Sequence, residues 1–402
     1  MRQLGFWLIL ALAMFAALEL SCSAALFLLE KVRHITYDPI SVRSISKRDR
    51  SMLEDLLAGR TNYVIYSSSL GWTIKPNGFA PLYRANSKGM RARREYTLAP
   101  SKNVLRISTF GDSFTHGDGV GNKDTWQEVM MSTDRSLEVL NFGVGGFGLD
   151  QAFLRYQQDG AMYHSQIVLI GFLSENIYRS VNVFRPFYAS GTTLPLAKPR
   201  FIFEDGRLVL LRNPMRDLSQ YRDLLTSPER ILPKLGAHDY YFRTRYKEGH
   251  FDFLPSVRLL QVSTYHLVEH RTGIEKNGYY DTDSEAFKIT AAIFDQFVDT
   301  VSRTGAVPII VVMPSGGDVV RYRKDGTKLY TPLLEYFRVR DYRYVDMLDG
   351  FEKYGGSMTV DELVPNHYSP SGNGLVAKFI WQYLAGNRLL DPETLRPRAF
   401  VK

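Results

Sequence analysis

A chain of 402 residues, 45% hydrophobic and 13% aromatic, carries enough apolar mass for one large α/β domain with additions. Its formal charge of +8 is modest for that length, and the basic runs at Arg91–Arg94 and Lys47–Arg50 read as solvated faces, with nothing that resembles nucleic-acid readout. One cysteine, Cys22, excludes an intramolecular disulfide and a cysteine-based metal site, and the eight histidines lack metal-ligand spacing, so neither metal nor cofactor is expected.

Residues 1–30 differ from the rest. The run "FWLILALAMFAALELSCSAALFLL" (6–29) is apolar over a spanning length, interrupted by Glu19 and a few serines. It is longer than the apolar region of a signal peptide and has no obvious small-residue cleavage site, which predicts an uncleaved single membrane anchor. Only Arg2 and the amino terminus precede the run, while Lys31, Arg33, Arg43, Lys47, Arg48 and Arg50 lie after it. Taken alone, that asymmetry favours a cytoplasmic position for the remainder of the chain.

Residues 31–100 read as a polar connector, helical to about residue 60, and then a short β-rich lead-in around 70–96. The main domain is expected over 101–390. Five short runs within it are aliphatic on both faces: "VLRISTF" (104–110), "LEVLNFG" (137–143), "QIVLIGF" (166–172), "VPIIVVM" (307–313) and "YRYVDML" (342–348). Such runs suit the buried strands of a parallel sheet covered by helices. The segment 285–305 between two of them predicts an amphipathic helix, with Phe287, Ala291, Phe294, Val298 and Val301 on one stripe and Gly305 as its stop. The expected fold is therefore α/β, a three-layer α/β/α sandwich around a doubly wound, parallel, five-stranded sheet. The stretch from about 180 to 284 lacks this rhythm and predicts an inserted cap beside the carboxyl edge of the sheet. It contains "RFIFEDGRLVLL" (200–211), a hairpin with an Asp-Gly turn. Residues 391–402 read as a tail.

The chemistry-bearing residues fall at the carboxyl ends of those strands. The first ends in Gly111-Asp112-Ser113, the second in "NFGVGGFG" (141–148) and the third in "LSENIYR" (173–179), while "NHYSPSGN" (366–373) places a histidine just before the last helix. A serine, a Gly-rich turn, an asparagine and a histidine suffice for acyl transfer: the serine attacks, the histidine takes its proton, and N–H groups hold the oxyanion. Ser113 could instead simply cap the helix after it.

These four segments resemble, in order and spacing, the sequence blocks of the SGNH/GDSL hydrolase superfamily. The similarity covers roughly 70–190 and 285–390, and looks nearest to membrane-anchored bacterial members associated with surface polysaccharides. It implies the flavodoxin-like SGNH fold, with Ser113 as nucleophile and His367 as general base. Asp361 is the nearby carboxylate that could orient His367, although the family places its Asp three residues before the histidine, where this chain has Val364. Either Asp361 completes a triad or the site is a dyad. The resemblance puts the oxyanion at the N–H groups of Ser113 and Gly146 and at the Asn176 amide, with Glu175 as the alternative occupant of the third position. Arg185, Tyr188 and His116 are candidate substrate-binding residues. The implied activity is a serine esterase acting on O-acyl groups, chiefly acetyl, of a cell-surface glycan. An O-acetyltransferase and a silent glycan-binding module are the alternatives. Similar proteins are single-pass in the cell inner membrane and face the periplasm or cell exterior, opposite to the orientation that the charge count favours.

Overall fold

The computed structural model describes residues 2–33, 35, 39–189 and 194–390, so the predicted tail 391–402 lies outside the described residues. The chain divides into two units: residues 1–45 with 223–273, and residues 46–222 with 274–402.

The larger unit begins with a helix over Lys47–Leu57, capped by Ser46. An antiparallel hairpin comes next, β1 (Val64–Ser67) with β2 (Gly71–Ile74). The main sheet comprises β3 (Leu105–Phe110), β4 (Leu137–Asn141), β5 (Ile167–Leu173), β10 (Val307–Met313) and β11 (Tyr344–Asp346), and all four neighbouring pairs in it are parallel. Between β5 and β10 lie the antiparallel hairpins β6 (Arg200–Glu204) with β7 (Arg207–Leu211), and β8 (Glu275–Lys276) with β9 (Tyr279–Tyr280). The order across the main sheet is β11-β10-β5-β3-β4. The five runs that the sequence marks as strands are these five. Every residue of β3 and of β5 is buried, as expected for a sheet covered on both faces.

One helical layer contains Trp126–Thr133, Met347–Gly355 and Pro370–Gly386, the other Leu149–Arg155 and Glu285–Arg303. In the long helix Glu285–Arg303, Ser284 caps the amino end by accepting from Phe287 N–H at 3.1 Å, and Phe287, Ala291, Phe294 and Val301 of the predicted stripe are buried. Because the chain steps from β3 to β4 on one side and then to β5 on the other, the strand order reverses at β3. Open α/β sheets bind ligands at that position, beyond the strand carboxyl ends.

The predicted cap does not form one body. Its hairpin β6–β7 belongs to the larger unit, with Asp205 and Gly206 both at positive φ in the turn. Residues 223–273 belong instead to the smaller unit, because their helix Pro255–Thr272 packs on the apolar amino-terminal helix Arg2–Arg33. In the latter, Gln3–Val32 has a mean hydropathy of 2.0 and is long and apolar enough to cross a membrane.

Candidate active site

The carboxyl end of β3 turns directly into a one-turn helix, Ser113–His116. Its cap is Asp112, whose Oδ1 accepts from Phe114 N–H at 2.9 Å. Ser113 is therefore not spent on capping. Its hydroxyl and its N–H have no hydrogen-bond partner among the described residues, and the residue is 6% exposed. Asp112 is wholly buried, with Arg179 Nη1 3.4 Å from Oδ2. Burial raises its pKa above the ordinary carboxylate value even though Arg179, the Phe114 N–H and His367 oppose the shift.

The turn after β4 is pressed onto this helix. Asn141 organises it: its Oδ1 accepts from Gly143 N–H at 2.9 Å and its Nδ2 donates to His116 O at 3.2 Å. A Cβ on Gly143 would lie 2.3 Å from His116 N, so only glycine allows this approach. Gly146 has φ +78°, which also favours glycine, and its N–H has no partner among the described residues. From the other side, Trp72 of β2 donates through Nε1 to Gly145 O at 2.9 Å, fixing the turn.

The third element is the one-turn helix Asn176–Arg179 after β5. Arg179 Nη1 donates to Phe147 O at 2.8 Å and also faces Asp112, tying this helix to the neighbours of both Gly146 and Ser113. Asn176 is 1% exposed, and neither its amide nitrogen nor its amide oxygen has a hydrogen-bond partner among the described residues. A buried amide left unpaired costs free energy, and a developing oxyanion would satisfy its N–H.

Glu175 is differently placed. Its Oε1 accepts from Tyr188 Oη at 2.8 Å and lies 3.2 Å from Arg179 and 3.7 Å from Arg185. Burial acts to raise its pKa, but Arg179, Tyr188 and Arg185 outweigh that and hold it below the ordinary glutamate value. Glu175 is thus favoured as an ionised acceptor, whereas the Asn176 amide carries N–H groups without charge. A carboxyl with a lowered folded pKa stabilises the fold above the unfolded value of about 4.3 and loses that contribution as pH falls. Glu175→Gln is accordingly expected to melt lower than wild type at pH 7. Thermal melts across pH should show the gap narrowing below about pH 4.3.

His367 sits on the loop before the helix Pro370–Gly386. Ser369 caps that helix by accepting from Gly372 N–H at 3.0 Å. Asn373 donates to Tyr368 O at 2.9 Å and accepts from Trp126 N–H at 3.1 Å, which secures the loop. Tyr368 donates to Pro314 O at 3.0 Å, beyond β10. The imidazole of His367 lies 5.1 Å, centroid to centroid, from the ring of Phe114, the residue after Ser113. The Ser-Pro-x-Gly-Asn part of this block thus acts as a mount for the histidine.

No hydrogen bond or ion pair joins Asp361 to His367 among the described residues. Asp361 is exposed on the short helix Val360–Leu363 and makes no hydrogen bond or ion pair among the described residues. His367 acts electrostatically on the carboxylates of Asp112 and Asp118. Asp118 comes directly after the Ser113 helix and its Gly117 cap, and a Cβ on its neighbour Gly119 would lie 3.9 Å from His367 Cβ. Asp118 Oδ1 hydrogen-bonds His116 Nδ1. Burial pushes the Asp118 pKa up, but His116, His367 and Arg91 together bring it below the ordinary value. The loop carrying Asp118 is built on Arg91, whose guanidinium donates to His116 O at 2.8 Å and to Val120 O at 2.5 Å. Sequence reading missed both residues. Asp118 stands in plain view within the first block, but only the folded loop relates it to His367.

The candidate substrate-binding residues are engaged elsewhere. His116 is 1% exposed, and its Nε2 is 2.6 Å from Tyr63 Oη while its Nδ1 meets Asp118. It braces the loop and does not line an open pocket. Burial, chiefly, lowers its pKa, while Asp118 acts in the opposite direction. Arg185 lies over the Tyr188 ring at 5.0 Å, and both face Glu175.

No protein-family model matches the chain, and a search of curated proteins finds no match. Among solved structures the chain is similar to a GDSL-like lipase from Bacteroides thetaiotaomicron at 11% identity, covering 72% of this chain and 91% of that one with a TM-score of 0.34. It is similar to a member of the lipolytic protein G-D-S-L family from Veillonella parvula at 10% identity, covering 69% and 96% with a TM-score of 0.34. A third is an acetyl xylan esterase at 10% identity, covering 69% and 98% with a TM-score of 0.36. GDSL proteins are thus among the solved structures to which this chain is similar, and the GDSL/SGNH superfamily is the one its four sequence blocks resemble.

Proposed function

We propose that this protein is a serine-dependent ester hydrolase whose nucleophile is Ser113 and whose general base is His367. The observation that carries the reading is a set of unspent groups at the carboxyl ends of the neighbouring strands β3, β4 and β5. The Ser113 hydroxyl, the N–H groups of Ser113 and Gly146, and the Asn176 amide all lack protein partners among the described residues, while the His367 ring packs beside Phe114.

In the reaction, Ser113 Oγ attacks the ester carbonyl carbon as His367 accepts the hydroxyl proton. The carbonyl oxygen becomes an alkoxide held by the Ser113, Gly146 and Asn176 N–H groups. Collapse breaks the bond to the leaving alcohol, which takes the proton from His367. The acyl group stays on Ser113 until water attacks it, deprotonated by His367; the bond from the acyl carbon to Ser113 Oγ then breaks, Oγ recovers the proton from His367, and the carboxylic acid leaves. The substrate class is an O-acylated, chiefly O-acetylated, surface glycan, supported by the likeness of the sequence blocks to polysaccharide-associated members. The apolar helix Arg2–Arg33 supports attachment to a membrane.

Asp118, with Asp112, takes the part first expected of Asp361: its charge favours the imidazolium that forms during attack. Asp118→Asn is expected to lower kcat on p-nitrophenyl acetate by about 10- to 100-fold, within the range for weakened general-base catalysis. Asp361→Asn should stay within about twofold of wild type, as for an exposed residue without partners. Steady-state kinetics on the two purified variants check this. A severe loss in Asp361→Asn with little change in Asp118→Asn would reverse the assignment.

A further inference from the structure

Glu19 interrupts the apolar helix Arg2–Arg33, and the catalytic reading gives it no part. It lies about 20 Å along the helix from Phe6, at 1.5 Å per residue. An acidic side chain at such a place in a membrane-crossing helix is costly unless paired. Its partner lies within the same unit. Ser256, in the first turn of the helix Pro255–Thr272, donates its N–H to Glu19 Oε2 at 2.9 Å and its hydroxyl to Oε1 at 2.6 Å. The start of the second helix is thereby fastened to the apolar helix at the level of Glu19.

The direction of the second helix can be read from two further contacts. Tyr265 lies 6.1 Å from Tyr246, centroid to centroid, and Tyr246 O accepts from Ile40 N–H at 2.7 Å. Pro255–Thr272 therefore runs from Glu19 toward the carboxyl-terminal end of Arg2–Arg33. The segment leading into it is the part set deepest along the apolar helix. That segment presents Phe251 at 63% exposure and Phe253 at 74%. Leu260 and Leu267, two turns apart on one stripe, are also exposed, while Val262, on the opposite side, is buried. Two neighbouring phenylalanines open to solvent are unusual on a soluble surface, and here they continue the apolar surface of the spanning-length helix.

We propose that the Phe251–Leu254 segment and the adjoining Leu260 face form a second membrane-inserting element, which enters the bilayer beside Arg2–Arg33 as far as the level of Glu19 and is held there by it. The occupant of this face is lipid. Phe251, Phe253, Leu260 and Leu267 offer lipid an apolar surface beside that of Arg2–Arg33, and a helix that starts at the level of Glu19 enters the bilayer without crossing it. The inference rests on the reading that Arg2–Arg33 enters a membrane.

The test uses the full chain with Cys22→Ser, reconstituted in phosphatidylcholine/phosphatidylglycerol vesicles. Single cysteines replace Phe253, Leu260, Leu12 or Arg207 in turn and carry a nitroxide. Spin-relaxation accessibility to oxygen and to a water-soluble nickel chelate reports depth at each site. The label at Leu12 should favour oxygen and that at Arg207 nickel, with Phe253 and Leu260 on the oxygen side. Adding Glu19→Ala should reverse the ratio at Phe253 and leave Leu12 unchanged. Oxygen preference at Leu12 with nickel preference at Phe253 and Leu260 overturns the inference and keeps the anchor. Nickel preference at Leu12 overturns the anchor, and the proposed insertion beside it falls with it whatever the ratio at Phe253.

Discussion

Ser113→Ala is expected to lose about four to six orders of magnitude in ester turnover while keeping its melting temperature. The substitution removes one oxygen that makes no hydrogen bond among the described residues, and the helix cap is supplied by Asp112, so the fold loses nothing it uses. The covalent route, by contrast, loses its only candidate nucleophile. His367→Ala should fall to a similar rate, because base and nucleophile act as one unit. The double variant should then be hardly slower than either single one. Multiplicative losses in the double variant would mean that the two side chains act in separate steps. A normal rate in purified Ser113→Ala would remove the serine mechanism altogether.

Asn176→Ala is expected to lower kcat by about 10²- to 10³-fold, the loss for one oxyanion donor. Its amide is buried and unpaired in the resting protein, so truncation removes no existing bond and leaves stability close to wild type. The KM should change less than kcat, since the alkoxide charge develops only in the transition state. Glu175→Gln provides the contrast. It breaks the contacts to Arg179, Arg185 and Tyr188, so its effect should appear in the melt before it appears in kcat. A near-normal Asn176→Ala together with an inactive, stably folded Glu175→Gln would exclude the amide as the donor.

Much of this architecture could be read from the sequence, for a physical reason. A strand buried on both faces is mostly apolar, and β5 and β10 keep that pattern along their length, so their bounds were nearly correct; β3, equally buried, carries Arg106, Ser108 and Thr109. The segments that form the candidate site carry a local signature where the backbone demands one: a glycine for the close approach at Gly143, and a serine cap with proline and asparagine around His367. The carboxylate near His367 was not legible. Spacing along the chain pointed to Asp361, six residues before the histidine, whereas Asp118 lies in a loop whose path depends on Arg91 and Tyr63 from other segments. The division of the predicted cap was hidden for a similar reason. Nothing local to residues 223–273 announces that their helix will pack on Arg2–Arg33. That becomes readable only when Glu19 is seen with Ser256.

The central claim is that Ser113 becomes covalently acylated. Its most direct test is to treat the folded full-length chain with a fluorophosphonate, measure its intact mass, and map the modified peptide. The account predicts one adduct, on the peptide containing Ser113, absent from Ser113→Ala and strongly slowed in His367→Ala. A folded protein that takes no label, or one labelled equally well in Ser113→Ala, would contradict it.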